Sequence, residues 1–157
     1  MPSVLMVCLG NICRSPMAEA VLRALVAERA DAARWVIDSA GTGDWHVGEA
    51  PEPRTIVVLA EHGQATPHRG RQVCAADFSR FDHIFVMDEA NHEAIMAFRP
   101  AGGGSARLER LGEWDPAGPG VVPDPYFSPG VEAFRLVHAQ VTRCCRAWLD
   151  AAYPLTR

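Results

Sequence analysis

A chain of 157 residues with a hydrophobic fraction of 48% can fill one core, so we expect a single domain over residues 1–157. All fifteen basic residues are arginine, the formal net charge is −4 and no arginine-rich block occurs, which argues against nucleic acid as a partner. No segment approaches the roughly 18 apolar residues of a membrane span. Five cysteines without CxxC spacing fit a reducing compartment, and a cytoplasmic protein is expected.

The first 40 residues predict a strand, a helix and a second strand. The unbroken apolar run Val4–Val7 is typical of a buried parallel strand. Apolar residues then recur at helical spacing over residues 18–26, with Ser15 placed as the N-cap and Pro16 in the first turn. Residues 35–39 form the second strand candidate. A strand–helix–strand unit implies a parallel sheet with a right-handed crossover.

The rest of the chain continues to alternate helices and strands. The predicted elements are a helix over Pro53–His62, a strand over His83–Met87, a helix over Glu89–Phe98, a weaker strand over Ala106–Leu111 and a last helix over Val131–Ala152. The segment 112–130 is rich in proline and glycine and too broken for regular structure. Long loops inside compact domains are often functional, so this loop is a candidate for part of a site.

A cysteine and an arginine six positions apart, Cys8 and Arg14, lie between the first strand and the first helix. A loop that opens a helix presents backbone N–H groups and the positive end of the helix dipole, which attract phosphate and stabilise a thiolate. Gly10 and Asn11 tolerate the left-handed conformations that curl such a loop. Arg14 can offer two parallel N–H bonds to phosphate oxygens, and Ser15 is placed to donate its hydroxyl to the thiolate.

The cysteine-to-arginine spacing alone is weak support, because Cys74 and Arg80 repeat it. No glycine lies between those two residues and no strand leads into them. Cys74 is therefore expected to be a small buried residue, and Cys144 and Cys145 are expected in the core of the last helix.

A second loop supplies a candidate proton donor for the departing oxygen of a phosphate ester. Asp124 lies in the long loop between Pro123 and Pro125, which would stiffen the backbone that aims it. The alternative is that this aspartate only initiates a turn, the role assigned to Asp115 before Pro116.

Together these residues resemble the low-molecular-weight protein tyrosine phosphatases. The segment Val7–Pro16 resembles the signature loop of that family, and Asp124–Tyr126 resembles its acid loop. Further matches follow in order along nearly the whole chain: Ala18–Ala20, Ser39–Gly41, Asp44–Gly48, His68 with Arg71 and Gln72, Met87–Glu89, Leu111 with Gly112, and Arg143–Arg146. The resemblance implies an α/β fold, a single three-layer domain whose four-stranded parallel sheet has helices on both faces.

The resemblance also implies hydrolysis of phosphotyrosine through a phosphocysteine, with no metal and no other cofactor. Cys8 matches the nucleophile, Arg14 the phosphate clamp, and Asp124 the general acid that later serves as base. The matched phosphate loop and crevice residues are Leu9, Gly10, Asn11, Ile12, Cys13, Ser15, Trp45 and Tyr126. Ser39 and His68 match residues that brace the loop by hydrogen bonds, together with Asn11 and Ser15.

Two positions bear on the substrate. Relatives that resemble protein arginine phosphatases tend to carry threonine where this chain has Ile12, so a phosphotyrosine-containing protein is expected as substrate. Phe127 replaces a tyrosine that is common in the family, which removes a hydroxyl from the rim but keeps an apolar wall. Bacterial relatives often oppose tyrosine kinases of polysaccharide export, which makes a bacterial tyrosine kinase a candidate partner. We expect a monomer or weak dimer, with no nucleic acid and no membrane partner.

Three other functions compete with this interpretation. Arsenate reductases share the fold and loop but need further cysteines, for which Cys13, Cys74, Cys144 and Cys145 are candidates; the acid loop favours ester hydrolysis. A phosphate-binding module without turnover would lack the nucleophile or the acid, and both are present. Metal-dependent hydrolysis is disfavoured because the six histidines form no HExxH motif and no cysteine pair has zinc spacing. Cys13 is left open between loop packing and a protective disulfide with Cys8.

Overall fold

A computed structural model describes residues 1–155 and shows a four-stranded, fully parallel sheet in the order β2-β1-β3-β4. The strands are β1 Ser3–Cys8, β2 Val36–Gly41, β3 His83–Val86 and β4 Arg107–Arg110. The helices are α1 Arg14–Ala27, α2 Pro53–Glu61, α3 Asp77–Arg80, α4 Glu89–Met96 and α5 Glu132–Ala152, with short 3-10 turns at Ala32–Arg34 and Leu111–Trp114. None of the helices in this part of the chain combines the length and apolar character needed to cross a bilayer.

The central strand β1 is buried on both faces, which explains its unbroken apolar sequence. Val4 and Met6 point into a core formed with α1, α2 and α5, whereas Leu5 and Val7 point into a second core formed with α3 and α4. The sheet therefore lies between two helical layers. This arrangement confirms the predicted three-layer α/β fold.

The strand order also fixes where a ligand site can form. The chain leaves β1 toward β2 on one side, and β3 pairs with β1 on the other side. The carboxyl ends of β1 and β3 therefore flank a point where the strand order reverses. Ligands of open parallel α/β sheets bind in the crevice at such a point.

The sequence predictions for Ser15 and Cys74 are wrong. Ser15 is not the N-cap of α1, since the helix begins at Arg14 and Cys13 occupies the cap position without a side-chain hydrogen bond. The Ser15 hydroxyl is instead hydrogen-bonded to the side chains of Cys8 and Asn11. Cys74 is exposed rather than buried, because it lies in the loop that precedes the unpredicted single turn α3. Cys144 and Cys145 are buried in the core, as expected.

The contact between α2 and α5 contains a buried histidine that should make stability depend on pH. The ring of His138 is 3% exposed, stacks on His62 with centroids 3.9 Å apart, and donates from Nε2 to Gln64 at 2.8 Å. Burial first, and then the charge of His62, lower the pKa of His138 to about 4, although the nearby Glu61 acts in the opposite direction. The folded protein therefore keeps this ring neutral at pH values where the unfolded chain protonates it.

We expect the free energy of unfolding to fall as pH drops from the unfolded histidine value, about 6.5, toward 4, because the unfolded state binds the extra proton. The contribution of His138 over this window should be about 2 to 3 kcal/mol. Urea unfolding of the wild type and of His138→Gln measures it, with His92→Gln as a control outside the stack. Equal pH slopes for the wild type and His138→Gln would contradict the assignment.

Candidate active site

The loop that joins β1 to α1 has several of its carbonyl groups hydrogen-bonded, whereas its amides are unused. The carbonyl oxygens of Cys8 and Leu9 accept from the backbone N–H groups of Thr42 and Gly43, both at 2.9 Å. The Ile12 carbonyl accepts from the next segment, residue 52, at 2.8 Å. Within residues 1–155, by contrast, the N–H groups of residues 9–13 donate to no protein acceptor. A curled loop with several unused donors at a helix N-terminus is an anion-binding site.

Asn11 holds the curled loop from behind. It has a φ of 56°, and among the described non-glycine residues it alone has a positive φ. Its amide nitrogen donates to Ser15 Oγ at 2.8 Å and Ser39 Oγ at 3.0 Å. Its oxygen accepts from His68 Nε2 at 2.7 Å and from the Arg71 backbone at 3.0 Å. All four capacities of the side chain are used, so the loop conformation is determined by hydrogen bonds from α1, β2 and the segment before α3.

Gly10 serves the loop differently from the way the sequence predicts. It does not adopt a left-handed conformation. A Cβ at this position would instead lie 3.2 Å from the Cδ2 atom of His46. The glycine therefore allows the close approach of the His46 ring, and Asn11 alone provides the left-handed turn.

The two thiols of the loop lie in different surroundings. Cys8 Sγ lies 3.0 Å from Ser15 Oγ, a contact in which the hydroxyl can donate to sulfur. Burial raises the pKa of the Cys13 thiol well above its ordinary range, and the neighbouring Cys8 raises it further. Both are free thiols in the structure, and the disulfide between them stays a prediction. At neutral pH Cys13 is a protonated neighbour of Cys8.

Arg14 is 2% exposed and is gripped by groups from two other segments. Its Nη1 atom donates to Asp88 Oδ2 at 2.6 Å and to the Val122 carbonyl at 3.0 Å. Its Nη2 atom lies 3.8 Å from Asp124 Oδ2. Asp88 was not among the predicted site residues, although it lies two residues after the third strand, at the sheet edge where Cys8 lies. Because one nitrogen is held by Asp88, the plane of the guanidinium is set before a ligand arrives.

These groups surround a cavity of about 180 Å³. Its lining comprises Cys8, Leu9, Gly10, Ile12, Cys13, Arg14, Trp45, His46, Asp124, Tyr126 and Phe127. Trp45 and Phe127 are 68% and 88% exposed and form the rim. The Asp124 carboxylate, whose side chain is 35% exposed, accepts from the Tyr126 backbone N–H at 3.1 Å. The cavity thus brings together a thiol, a guanidinium, a carboxylate and unused amides.

Four predicted residues lie outside the lining and support it. Asn11, Ser15, Ser39 and His68 are placed behind the loop, and the sequence had grouped the first two with the phosphate-contacting residues. His46, in contrast, lines the cavity without having been predicted. Its position follows only from the fold.

Behind the loop, a charged network connects His68 to α1 and β2. His68 Nδ1 lies 3.2 Å from Glu19 and 3.7 Å from Asp38. These three side chains could in geometry surround a cation, since their ligand atoms lie within 4.8 Å of one another. Arg23 and Arg71, however, pair with the two carboxylates at 2.9 and 3.0 Å. The cluster is therefore charge-balanced by the protein, and it buttresses the loop. Glu19 could have been found as a carboxylate flanked by the apolar residues Ala18 and Ala20.

Removing the Asn11 side chain should destabilise the protein. Asn11→Ala deletes the hydrogen bonds to the loop and places alanine in a left-handed conformation, which should lower the free energy of unfolding by about 3 kcal/mol. Asn11→Gly deletes the same bonds without the backbone strain, and should cost about 1 kcal/mol less. Urea unfolding of both variants measures the difference. Equal losses would show that the left-handed backbone contributes nothing.

Comparison with known proteins agrees with this geometry. The family model described as low molecular weight phosphotyrosine protein phosphatase matches residues 3–154. The protein of that name from Sus scrofa is 44% identical over 149 residues, which are 94% of each chain. A protein tyrosine phosphatase structure from Entamoeba histolytica gives a TM-score of 0.89 at 30% identity over 97% of each chain. The structure of a drosophila arginine phosphatase gives 0.85 at 36% identity, covering 96% of this chain and 97% of the other.

The similarity to these proteins extends from β1 to the end of α5. It holds for the amino-acid sequence and for the three-dimensional structure. The relatives that share it are named as phosphatases, which are hydrolases. This chain belongs to the low molecular weight phosphotyrosine protein phosphatase family.

Proposed function

We propose that this enzyme hydrolyses phosphotyrosine in proteins through a covalent phosphocysteine at Cys8, without a metal ion. The observation that carries the proposal is the convergence of the Cys8 thiol, the unused amides of residues 9–13 and the Arg14 guanidinium on one cavity. A phosphate dianion held there would have its oxygens on the amides and Arg14, and its phosphorus next to sulfur.

In the first step, the Cys8 thiolate attacks phosphorus while the bond from phosphorus to the tyrosine oxygen breaks. The sulfur supplies the electron pair for the new bond, and the departing oxygen takes a proton from the carboxyl group of Asp124. Arg14 and the loop amides hold the charge on the three equatorial oxygens. Free tyrosine and a phosphocysteine result.

In the second step, water attacks the phosphocysteine. Asp124, now a carboxylate, accepts a proton from the water as its oxygen bonds to phosphorus. The bond from phosphorus to sulfur breaks, the thiolate is restored with help from the Ser15 hydroxyl at 3.0 Å, and phosphate leaves. Asp124 thereby returns to the protonated form that the first step needs.

The rim supports an aryl phosphate as substrate. Trp45, Tyr126 and Phe127 line the mouth of the cavity and offer aromatic faces to a phenyl ring. A phosphoserine side chain is too short to reach Cys8 past these rings. Phosphoarginine is the nearest alternative, given the likeness to the drosophila arginine phosphatase, but Ile12 contributes an apolar wall without a hydroxyl for a guanidinium.

Arsenate reduction finds less support than hydrolysis. A disulfide relay needs accessible partner thiols near Cys8, but Cys144 and Cys145 are fully buried, and burial raises the pKa of Cys144 to about 12. Cys13 is also buried and its pKa is raised, and Cys74 is exposed but is absent from the cavity lining. The carboxylate of Asp124 at the cavity has no use in reducing arsenate. The family match and the acid loop together favour ester hydrolysis.

Trapping the intermediate tests the proposed mechanism. The wild type is mixed with p-nitrophenyl phosphate in EDTA and thiol, then quenched with denaturant in alkali, because S-phosphate monoesters are hydrolysed in acid. Mass spectrometry of the peptides should locate one phosphoryl group on Cys8. Turnover without an adduct, or an adduct on Cys13, would overturn the proposal, and loss of turnover in EDTA would overturn metal independence.

Matched peptides test the proposed substrate. We expect kcat/KM for a phosphotyrosine peptide to exceed that for its phosphoserine and phosphoarginine counterparts by about 10²-fold or more. Ile12→Thr should lower the ratio of kcat/KM for the phosphotyrosine peptide to kcat/KM for the phosphoarginine peptide. Equal rates on the three peptides would refute the selection of phosphotyrosine. The bacterial kinase partner and the monomeric or weakly dimeric state stay predictions.

A further inference from the structure

Arg54, in the first turn of α2, is bonded to three carbonyl groups of the loop that follows Asp124. Its Nη1 atom donates to Ser128 O at 2.5 Å and Gly130 O at 3.0 Å. Its Nη2 atom donates to Tyr126 O at 2.9 Å. One guanidinium thus fastens residues 126–130 to α2, although Arg54 is absent from the cavity lining.

The guanidinium is itself held in place on two sides. Its Nε atom donates to Glu52 Oε1 at 2.9 Å, and its Cζ atom lies 4.3 Å from the centre of the Phe134 ring. The backbone N–H of Glu52 donates to Ile12 O in the phosphate loop at 2.8 Å. A continuous chain of contacts therefore runs from the phosphate loop through Glu52 and Arg54 to the loop carrying Asp124.

Asp124 lies between two anchored stretches of this loop. On its amino side, Val122 bonds to Met87 through its N–H at 2.9 Å and to Arg14 through its carbonyl at 3.0 Å. On its carboxyl side, the anchors are the three bonds from Arg54. The Asp124 carboxylate accepts a hydrogen bond from the Tyr126 N–H at 3.1 Å, and the carbonyl of that same residue is held by Arg54. The orientation of the Asp124 carboxylate thus depends on the backbone at Tyr126, which Arg54 holds in place.

We propose that Arg54 is a positioning residue for the general acid, a role that rests on the function proposed above. Without the guanidinium, three carbonyls lose their donors and the loop can shift relative to the phosphate loop. A shift of about 1 Å is enough to impair a proton transfer while leaving phosphate binding intact. The loss of rate in the first step should therefore depend on how much the leaving group needs a proton.

The test compares wild type, Arg54→Ala, Arg54→Lys and Asp124→Ala on aryl phosphates that range from p-nitrophenyl to phenyl phosphate. The quantity compared is kcat/KM, which reports the first step alone, because Asp124 also serves as base in the second step and that step is the same for every leaving group. With Arg54→Ala, kcat/KM should fall less than about threefold on p-nitrophenyl phosphate and about 10- to 50-fold on phenyl phosphate. Arg54→Lys keeps the positive charge but loses the forked guanidinium donors, so it should show the same dependence on the leaving group. It replaces the alanine variant in the test if that variant does not fold. The double variant Arg54→Ala/Asp124→Ala should be no slower than Asp124→Ala, because the two residues act as a unit.

Arg135→Ala is the matched control, since Arg135 also joins α5 to α2, through Glu61, but does not contact the acid loop. It should leave the leaving-group dependence at the wild-type value. An equal loss of kcat/KM on every substrate, or losses of kcat/KM in Arg54→Ala and Asp124→Ala that multiply in the double variant, would overturn the positioning role. If Asp124→Ala itself has no effect on phenyl phosphate, the proposed acid is wrong, and the role of Arg54 falls with it.

Discussion

Replacing Cys8 with serine is expected to lower kcat for p-nitrophenyl phosphate by at least about 10⁴-fold. The substitution exchanges sulfur for oxygen at the end of β1 and leaves the amides of residues 9–13 and the guanidinium of Arg14 in place. An alcohol remains protonated at neutral pH, whereas the loop amides and the helix N-terminus favour a thiolate. The contact at 3.0 Å to Ser15 cannot compensate, since a serine hydroxyl is a donor and not a base.

Binding separates loss of chemistry from loss of fold. Cys8→Ser should still bind inorganic phosphate with an affinity within about tenfold of wild type, because the amides and Arg14 supply the phosphate contacts. Cys74→Ser is the matched control: Cys74 has the same spacing to an arginine but is exposed in a loop, and its loss should leave kcat unchanged. Substantial turnover by Cys8→Ser would refute the thiolate mechanism.

Replacing Arg14 with lysine is expected to lower kcat/KM by about 10³-fold. Lysine keeps the positive charge, but one ammonium cannot hold Asp88 and the Val122 carbonyl while presenting two parallel N–H bonds to a phosphate. The wild-type guanidinium divides these tasks, with Nη1 bound to the protein and Nη2 facing the side of Asp124. The substitution should weaken binding of the transition state more than binding of the substrate, since the equatorial oxygens of the transition state match the planar guanidinium of Arg14.

Steady-state kinetics, together with inhibition by phosphate, measures this loss. Arg80→Lys provides the control, because the Arg80 side chain is 62% exposed and it belongs to the second cysteine–arginine pair. We expect no change in kcat/KM for that variant. If Arg14→Lys retains more than about a tenth of the wild-type kcat/KM, the bidentate grip contributes little and the charge alone suffices.

The sequence predicted the elements well where periodicity was strong. Strand β1 is buried on both faces, which gives an unbroken apolar run. Helices α1 and α5 pack against the core, which gives apolar residues at helical spacing. The turn α3 and the 3-10 segments were missed, because a single turn is too short to show a period. The exposure of Cys74 was missed for the same reason, since this residue lies in a loop with no periodic pattern of burial.

The candidate site divides in a similar way. That Cys8, Arg14 and Asp124 line one cavity could be predicted, from their residue types and from the resemblance of their segments to the signature and acid loops of the family. The places of Asp88 and His46 could not be predicted in this way, since only the pairing of β3 with β1 brings Asp88 to Arg14, and only the close approach at Gly10 brings His46 to the cavity. The hydroxyl of Ser15 was correctly expected near the thiol but wrongly placed as a helix cap.

By itself, then, the sequence determined the parallel α/β layering, the position of the phosphate loop between β1 and α1, and the identity of the chemical groups. These depend on neighbours in the chain and on local patterns of burial. The tertiary structure alone decided which carboxylate binds Arg14 and how Arg54 fastens the loop of Asp124. Such contacts join segments more than 50 residues apart, and their geometry is set by how the helices pack on the sheet rather than by any local preference.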